Sequence, residues 1–282
     1  MKTLKIVFVI YNIFLFSNTL CLSQNLKKAN KFFDKGEIEK FQETLLKTLE
    51  KDSLNPGIDF LYARLYLLKT YPEKDIDKAK QYITSALAKH QFIDTKVLQE
   101  LNEININKYA IDSLNNIIDS LAFDVALKKN SVDGFEYYMK KYPKSRNQEN
   151  AFNKRNAIVY ESIKKLNTWR AYQYFILSYK GAQQIEEAKD KYERLLYEEK
   201  TRDRTLGSYI LFLSQNKDTP FRDEIEKNIL EISTESNESN EYVNFLESYP
   251  DSKWVKSALE YLYYVSNKDI VLYEKYYRNA GL

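Results

Sequence analysis

The chain has 282 residues, of which 44% are hydrophobic and 29% charged, with a formal net charge of +3. This composition indicates a folded protein of one large or two ordinary domains and argues against intrinsic disorder. Six glycines and five prolines are too few for the many tight turns of a β-sandwich or β-barrel, so the composition predicts an all-α protein.

The N-terminus has the pattern of a secretory signal peptide. Lys2 and Lys5 precede an apolar run over Ile6–Phe16, and small residues follow at Cys21 and Ser23. We therefore predict a signal peptide over residues 1–23, cleaved after Ser23. The alternative is a retained membrane anchor, but this run of 11 residues is shorter than the ~20 that span a bilayer. The predicted location is the periplasm.

Cys21 is the only cysteine and suggests a second possible location, the outer membrane, to which the chain would be attached as a lipoprotein. Lipoprotein signals carry Gly, Ala or Ser directly before the cysteine, whereas Leu20 stands here, so this alternative ranks second. Membrane contact is expected only if Cys21 is lipidated. Cleavage after Ser23 would leave a chain without cysteine and hence without disulfides.

The charge balance argues against a nucleic-acid partner. Residues 1–23 contain two lysines and no acid, so the cleaved chain keeps 41 basic and 40 acidic residues. A net charge near +1 gives no overall field to attract nucleic acid. We interpret the basic pairs Lys140-Lys141 and Lys164-Lys165 as solvated helix surface.

Two helical hairpins are predicted before residue 90. The first covers 25–54, turns at Lys35–Glu37 and ends at Pro56-Gly57. The second runs through 60–68, turns at Tyr71-Pro72 and returns over 77–87. Residues 94–129 have a less regular pattern, which we interpret as a linking hairpin. The apolar face predicted for its second helix comprises Leu114, Ile117, Ile118, Leu121 and Val125.

These hairpins show a family resemblance. Ala79, Ile83, Ala86 and Leu87 resemble the second-helix signature of tetratricopeptide repeats, and Lys35–Glu37 is similar to the turn of that family. Phe41 departs from the pattern, because the family favours alanine there. The resemblance implies degenerate TPR-like hairpins and linking helices over residues 24–121.

An aromatic motif recurs from residue 122 onward. Its copies begin 37, 37, 33 and 31 residues apart, at Phe135, Tyr172, Tyr209, Tyr242 and, weakly, Tyr273. In each copy a second aromatic follows three residues later, which is the spacing of one helix face. A period in this range predicts stacked helical hairpins, an α–α superhelix or solenoid, over residues 122–282.

Other positions recur with the same period. Four residues before each copy stand predicted helix caps, at Ser131, Thr168, Thr205, Glu238 (with Ser239 beside it) and Asp269. A second helix is predicted to start at Ser145, Ala182, Thr219 and Ser252, with Pro220 in its first position in the third copy. Residues expected to press against the first helix lie six positions further, at Ala151, Ala188, Ile225 and Ala258.

The aromatic stripes have two interpretations. They could form the core between paired helices, or an exposed surface that binds a small ligand; stripes at helical spacing favour the core. The turns Tyr142-Pro143-Lys-Ser145 and Tyr249-Pro250-Asp-Ser252 are similar to one branch of the tetratricopeptide family. That branch includes periplasmic proteins and lipoproteins that assist envelope assembly.

The sequence provides few groups for catalysis. His90 is the only histidine and ends a predicted helix, where a cation is favoured. No glycine-rich phosphate loop or nucleophile motif is present, and the polar run Glu235–Glu241 lacks the acid spacing of a calcium loop. We therefore assign no catalytic, cofactor-binding or metal-binding residue and expect no enzyme.

The final predicted helix covers Asp269–Ala280 and has no returning partner. It could cover the preceding hairpin, dock on another protein, or belong to a longer array, and we favour the first. The expected function is a protein-binding adaptor or scaffold in the bacterial cell envelope, with other envelope proteins or extended peptide segments as partners. The alternatives are a lipid-anchored accessory subunit of an outer-membrane assembly machine and, third, a ligand-binding protein that uses exposed tyrosines.

Overall fold

The computed structural model describes residues 24–279, with side chains through Arg278. Fifteen helices and no strand occur in this range, which confirms the all-α prediction. The predicted signal peptide, Cys21 and Ala280 lie outside it. The chain divides between Arg155 and Asn156 into two compact units, and the predicted domain border at residue 121 lies within a continuous helix.

The first seven helices are α1 (24–34), α2 (Ile38–Lys51), α3 (Pro56–Leu67), α4 (Ile76–His90), α5 (Thr95–Glu103), α6 (Lys108–Lys129) and α7 (Val132–Lys141). Helix α8 (Gln148–Leu166) contains the division between the units. The remaining helices are α9 (Trp169–Ser178), α10 (Ile185–Lys200), α11 (Leu206–Gln215), α12 (Arg222–Ser233), α13 (Ser239–Ser248), α14 (Val255–Val265) and α15 (Ile270–Asn279).

The two predicted N-terminal hairpins are present. Gly36 turns between α1 and α2 with φ +74°, a conformation that favours glycine because it has no Cβ. Pro56 and Gly57 do not end the first hairpin as predicted; they form the first turn of α3. Asn55 caps that helix by accepting a hydrogen bond from the Gly57 amide, and proline at the first position loses no helical hydrogen bond.

The predicted face of α6 is wrong in part. Ile118 is buried, but Ile117, Leu121 and Val125 are exposed. The buried face instead comprises Ile111, Ile118, Asp119, Ala122 and Ala126. Because these alanines are small, α4 and α7 can pack closely on α6. The free energy gained by this close packing is larger than the gain from burying the bigger leucine and valine side chains on the neighbouring face.

The periodic caps are confirmed with one change. The side chains of Ser131, Thr168 and Thr205 each accept a hydrogen bond from the amide three residues later. Asp269 accepts from two amides of α15. Glu238 occupies the cap position of α13, and the Glu241 side chain reaches back to accept from the Glu238 amide.

The aromatic stripes form the core, as predicted. The first two aromatics of the four full copies are at most 6% exposed; they are Phe135, Tyr138, Tyr172, Phe175, Tyr209, Phe212, Tyr242 and Phe245. The predicted contact positions of the second helices are fully buried at 0%: Ala151, Ala188, Ile225 and Ala258. In the unit after Arg155, the pairs α9–α10, α11–α12 and α13–α14 pack as hairpins.

The second helices begin three residues later than predicted. Ser145, Ala182, Thr219 and Ser252 are buried and close a turn between the helices, because each amide donates to the carbonyl three residues earlier. The hydroxyls of Ser145, Thr219 and Ser252 accept from the amide two residues later. Pro220 consequently lies in this turn and not in the first position of α12.

The last helix packs on the preceding hairpin. Tyr276 of α15 is buried in the same core as α14, and its hydroxyl donates to Glu247 Oε1 at 2.8 Å. Tyr277 remains partly exposed. None of the helices within residues 24–279 is both long enough and apolar enough to cross a bilayer.

The substitution Ala188→Asp tests the repeat alignment. Ala188 is fully buried between α9 and α10, so an aspartate there would be an unpaired buried charge. We expect the free energy of unfolding to fall by several kcal/mol in urea titrations. Lys191→Asp, on the exposed surface of the same helix, should change it by less than about 1 kcal/mol. Equal unfolding curves for Ala188→Asp and wild type would show that the alignment is wrong.

Candidate functional site

The residues considered for chemistry in the sequence belong to different elements of the fold. His90 is the last residue of α4, and its Nε2 atom is buried without a hydrogen-bond partner among the described residues. The run Glu235–Glu241 forms the turn between α12 and α13 and the first residues of α13. Within residues 24–279 no three His, Cys, Asp or Glu side chains are grouped so that they could hold a metal ion.

The most developed polar centre lies in the unit before Asn156, where α4, α6 and α7 meet. Asp77 of α4 accepts hydrogen bonds on both carboxylate oxygens. Tyr142 donates to Oδ1 at 2.6 Å, and Tyr137 donates to Oδ2. The Tyr142 side chain is 2% exposed, whereas Tyr137 is 46% exposed, so the carboxylate joins a buried and a solvent-facing tyrosine.

A buried ion pair lies beside these tyrosines. Lys80 Nζ is 2.6 Å from Asp119 Oδ1 and donates to Asn115 Oδ1 at 2.7 Å. The same ammonium lies 5.5 Å from the centre of the Tyr142 ring, a cation–π distance. The pair joins α4 to α6, and Lys80 therefore has partners that offset the cost of its burial.

Tyr138 completes this centre. Its ring stacks on Tyr142 with 5.2 Å between centroids, and its hydroxyl is 2.5 Å from the Ser145 hydroxyl in the following turn. The turn after α7 is thus held to α4 through Tyr142 and to α7 through Tyr138. Its backbone and side chains have a fixed place beside α4.

The tyrosines have raised pKa values. Burial, followed by the hydrogen bond to Asp77, raises the pKa of Tyr142. The hydrogen bond to Asp77, followed by burial, raises the pKa of Tyr137 to about 12. Both side chains are therefore neutral donors over the physiological range, and neither can act as a base there.

Two clefts open on either side of the Asp77–Tyr142 hydrogen bond. The smaller, of about 380 Å³, lies between α4, α6 and α7 and includes Val125 and Tyr137 in its lining. The larger, of about 670 Å³, runs along α4 from Asp77 to Gln91. We call the larger cleft the lysine groove; it is lined by Asp77, Lys80, Gln81, Thr84, Leu87, Ala88, Gln91, Asn115, Lys141, Tyr142, Pro143 and Lys144.

The lysine groove contains polar groups that have no partner within residues 24–279. Lys141 and Lys144 are exposed, and neither makes an ion pair with a described residue. Gln81, Thr84 and Gln91 on α4 are exposed as well. The size of the groove and its exposed donors suit the binding of a chain segment.

Sequence reasoning missed this groove. Lys141 was interpreted as solvated surface, and its place beside α4 depends on Tyr142, whose buried hydroxyl contacts Asp77 at a separation of 65 residues. The nearest local signal was the recurrence of lysine in the segment 140–144, around Tyr142-Pro143.

A second exposed surface contains hydrophobic side chains on α14 and α15, among them the tyrosines Tyr261 and Tyr264 and the aliphatic Val271. Tyr263 contacts Tyr264 and Tyr273 in edge-to-face geometry. These exposed tyrosines are distinct from the buried aromatics of the repeat motif, and Tyr109, Tyr137 and Tyr174 are exposed as well.

Comparison with known proteins provides no family assignment: no protein-family model matches the chain, and no curated protein matches it significantly.

Tyr142→Phe tests the contribution of the buried hydrogen bond to Asp77. Hydrogen bonds to charged groups contribute about 1.5–3 kcal/mol, so we expect a loss of that size in the free energy of unfolding. Tyr109→Phe is the matched control, because Tyr109 is 81% exposed, and it should change stability by less than about 0.5 kcal/mol. Urea unfolding at neutral pH measures both variants, and equal losses would contradict the role of the Asp77 contact.

The raised tyrosine pKa values predict a dependence on alkaline pH. Neutral tyrosine is favoured in the folded state, so its stabilisation is complete below the ordinary value near 10 and is lost as pH rises towards about 12. The stability difference between wild type and Tyr137→Phe should therefore shrink between about pH 10 and pH 12. Urea unfolding across this range measures it, and a constant difference would contradict the assignment.

Proposed function

We propose that this chain is an exported helical-repeat protein that binds other proteins as an adaptor or scaffold in the bacterial cell envelope. The finer fold assignment belongs to the same proposal: each unit is a run of TPR-like hairpins that forms part of an α–α superhelix. The observation that carries the proposal is the lysine groove, an open cleft of about 670 Å³ whose exposed lysines have no ion-pair partner among residues 24–279.

Three further observations support protein binding. First, α9 to α15 pack consecutively in sequence order in the unit after Arg155, as in repeat proteins, which present extended surfaces to partners. Second, the first two aromatics of each full copy are buried, so the repeat motif serves stability. Third, the segment 141–144 is fixed beside α4 by buried hydrogen bonds, so a partner would meet a preformed surface.

The proposed export rests on the N-terminal pattern. Lys2, Lys5 and the apolar run to Phe16 support a signal peptide, and a protein without an assigned reaction is compatible with an accessory role in the envelope. The lipid-anchored accessory subunit remains the alternative. It differs from the exported adaptor in one observable property, which is whether Cys21 is lipidated.

Site-specific photo-crosslinking in cells tests the proposal. A photoreactive residue replaces Gln81 in the lysine groove, and the control carries it at exposed Glu50 on α2. We expect one envelope protein to be crosslinked reproducibly from position 81 and not from position 50. Equal or absent crosslinking at the two positions would contradict the adaptor function.

The crosslinked protein recovered from cells also shows in which cellular compartment the chain is located. Mass spectrometry of the crosslinked protein should find a mature start at Gln24 in the soluble envelope fraction. A lipidated Cys21 would favour the anchored alternative, and an intact Met1 in the cytosolic fraction would contradict export.

A further inference from the structure

The lysine groove carries an excess of positive charge on its lining. Three lysines, Lys80, Lys141 and Lys144, face one carboxylate, Asp77, which accepts hydrogen bonds from two tyrosines. Lys80 is neutralised by Asp119 from outside the lining. Asp77 keeps its charge because its two tyrosine partners are neutral, so Lys141 and Lys144 together with Asp77 leave a net charge of +1 (two positive, one negative) for a partner.

The groove is lined by α4, by Asn115 of α6 and by the segment 141–144, which carries the two lysines. The exposed amide and hydroxyl groups of Gln81 and Thr84 lie along α4, Gln91 follows its last residue, and Leu87 lies between them in the chain. A polypeptide backbone offers the donors and acceptors that such side chains bind. The combination of backbone-binding groups and exposed cations in one lining suits a segment with acidic side chains.

The length of the groove sets the length of the segment. Asp77 and Gln91 are 14 residues apart on α4, which corresponds to about 21 Å at 1.5 Å per helical residue. An extended chain advances about 3.3 Å per residue, so about six residues span this distance. Alternate side chains of such a segment point to the same side, so about three acids could face Lys141 and Lys144.

We infer that the lysine groove binds an extended polypeptide segment of about six residues whose side chains are alternately acidic. This inference rests on the proposed adaptor function and specifies the chemistry of its partner. The N-terminal segment 1–23 of this chain does not meet the requirement, because it contains no acidic residue.

A binding measurement with defined probes tests the inference. The first probe is a fluorescent peptide of alternating glutamate and alanine with blocked ends, and the second has glutamine in place of glutamate. We expect fluorescence anisotropy to show binding of the acidic peptide to the full chain, weakening as salt is added, and at least tenfold weaker binding of the glutamine peptide.

The variant that tests the site is Lys141→Glu/Lys144→Glu. Reversal of both charges should weaken binding of the acidic peptide at least tenfold. The control Lys27→Glu/Lys31→Glu makes the same change in net charge at exposed positions of α1, outside the groove, and should leave binding within about twofold. Circular dichroism of both variants checks that the helices remain folded.

Other occupants give different results. An equal loss of peptide binding in the two double variants would show that the overall charge of the chain attracts the peptide. This result would overturn the inference. Single-stranded DNA that binds tighter than the peptide and depends on Lys141 and Lys144 would assign the groove to a polyanion of another class. Concentration-dependent self-association that Lys141→Glu/Lys144→Glu abolishes would assign it to a second copy, whose acidic run Glu235–Glu241 would be the occupant.

The failure of this inference is distinguishable from failure of the adaptor function. Crosslinking from position 81 to a neutral or basic partner segment, without binding of the acidic peptide, would retain the function and overturn the charge assignment. Absence of crosslinking from position 81 would contradict the proposed adaptor function itself.

Discussion

The architecture depends on the close contact between an aromatic stripe on one helix and a small or branched residue on the next. Tyr172 and Phe175 of α9 are buried where α9 packs on α10, which carries the buried Ala188, and Tyr209 and Phe212 share one core with Ile225. Aromatic side chains bury about 150–250 Å² each, so a few of them per hairpin dominate the hydrophobic stabilisation. Side-chain caps then fix where α7, α9, α11 and α15 begin, and buried turn hydroxyls precede α8, α12 and α14.

This local arrangement also creates the lysine groove. Tyr142 closes the stripe of α7, and its buried hydroxyl donates to Asp77 of α4. The turn that follows therefore lies against α4 and brings Lys141 and Lys144 to the groove. A residue that belongs to the structural repeat thus positions the surface for which we propose a binding function.

The repeat was predictable from the sequence because each of its parts is local. Caps, aromatic spacing and buried alanines follow from helix geometry, and they recur with one period. The face of α6 was not predictable in this way, because Asp119 is buried only through its ion pair with Lys80, 39 residues away. Hydrophobicity alone selected Leu121 and Val125, whereas close helix packing selected Ala122 and Ala126. The groove was missed for the same reason: it forms between segments that are distant in the chain.

The central claim is that the groove along α4 receives an acidic segment of another protein. A crystal structure of the full chain with the alternating glutamate–alanine peptide tests it most directly. The account predicts an extended peptide along α4, with glutamate carboxylates within about 4 Å of the ammonium groups of Lys141 and Lys144. A peptide bound on the tyrosine surface of α14 and α15, or a groove that stays empty at saturating peptide, would contradict it.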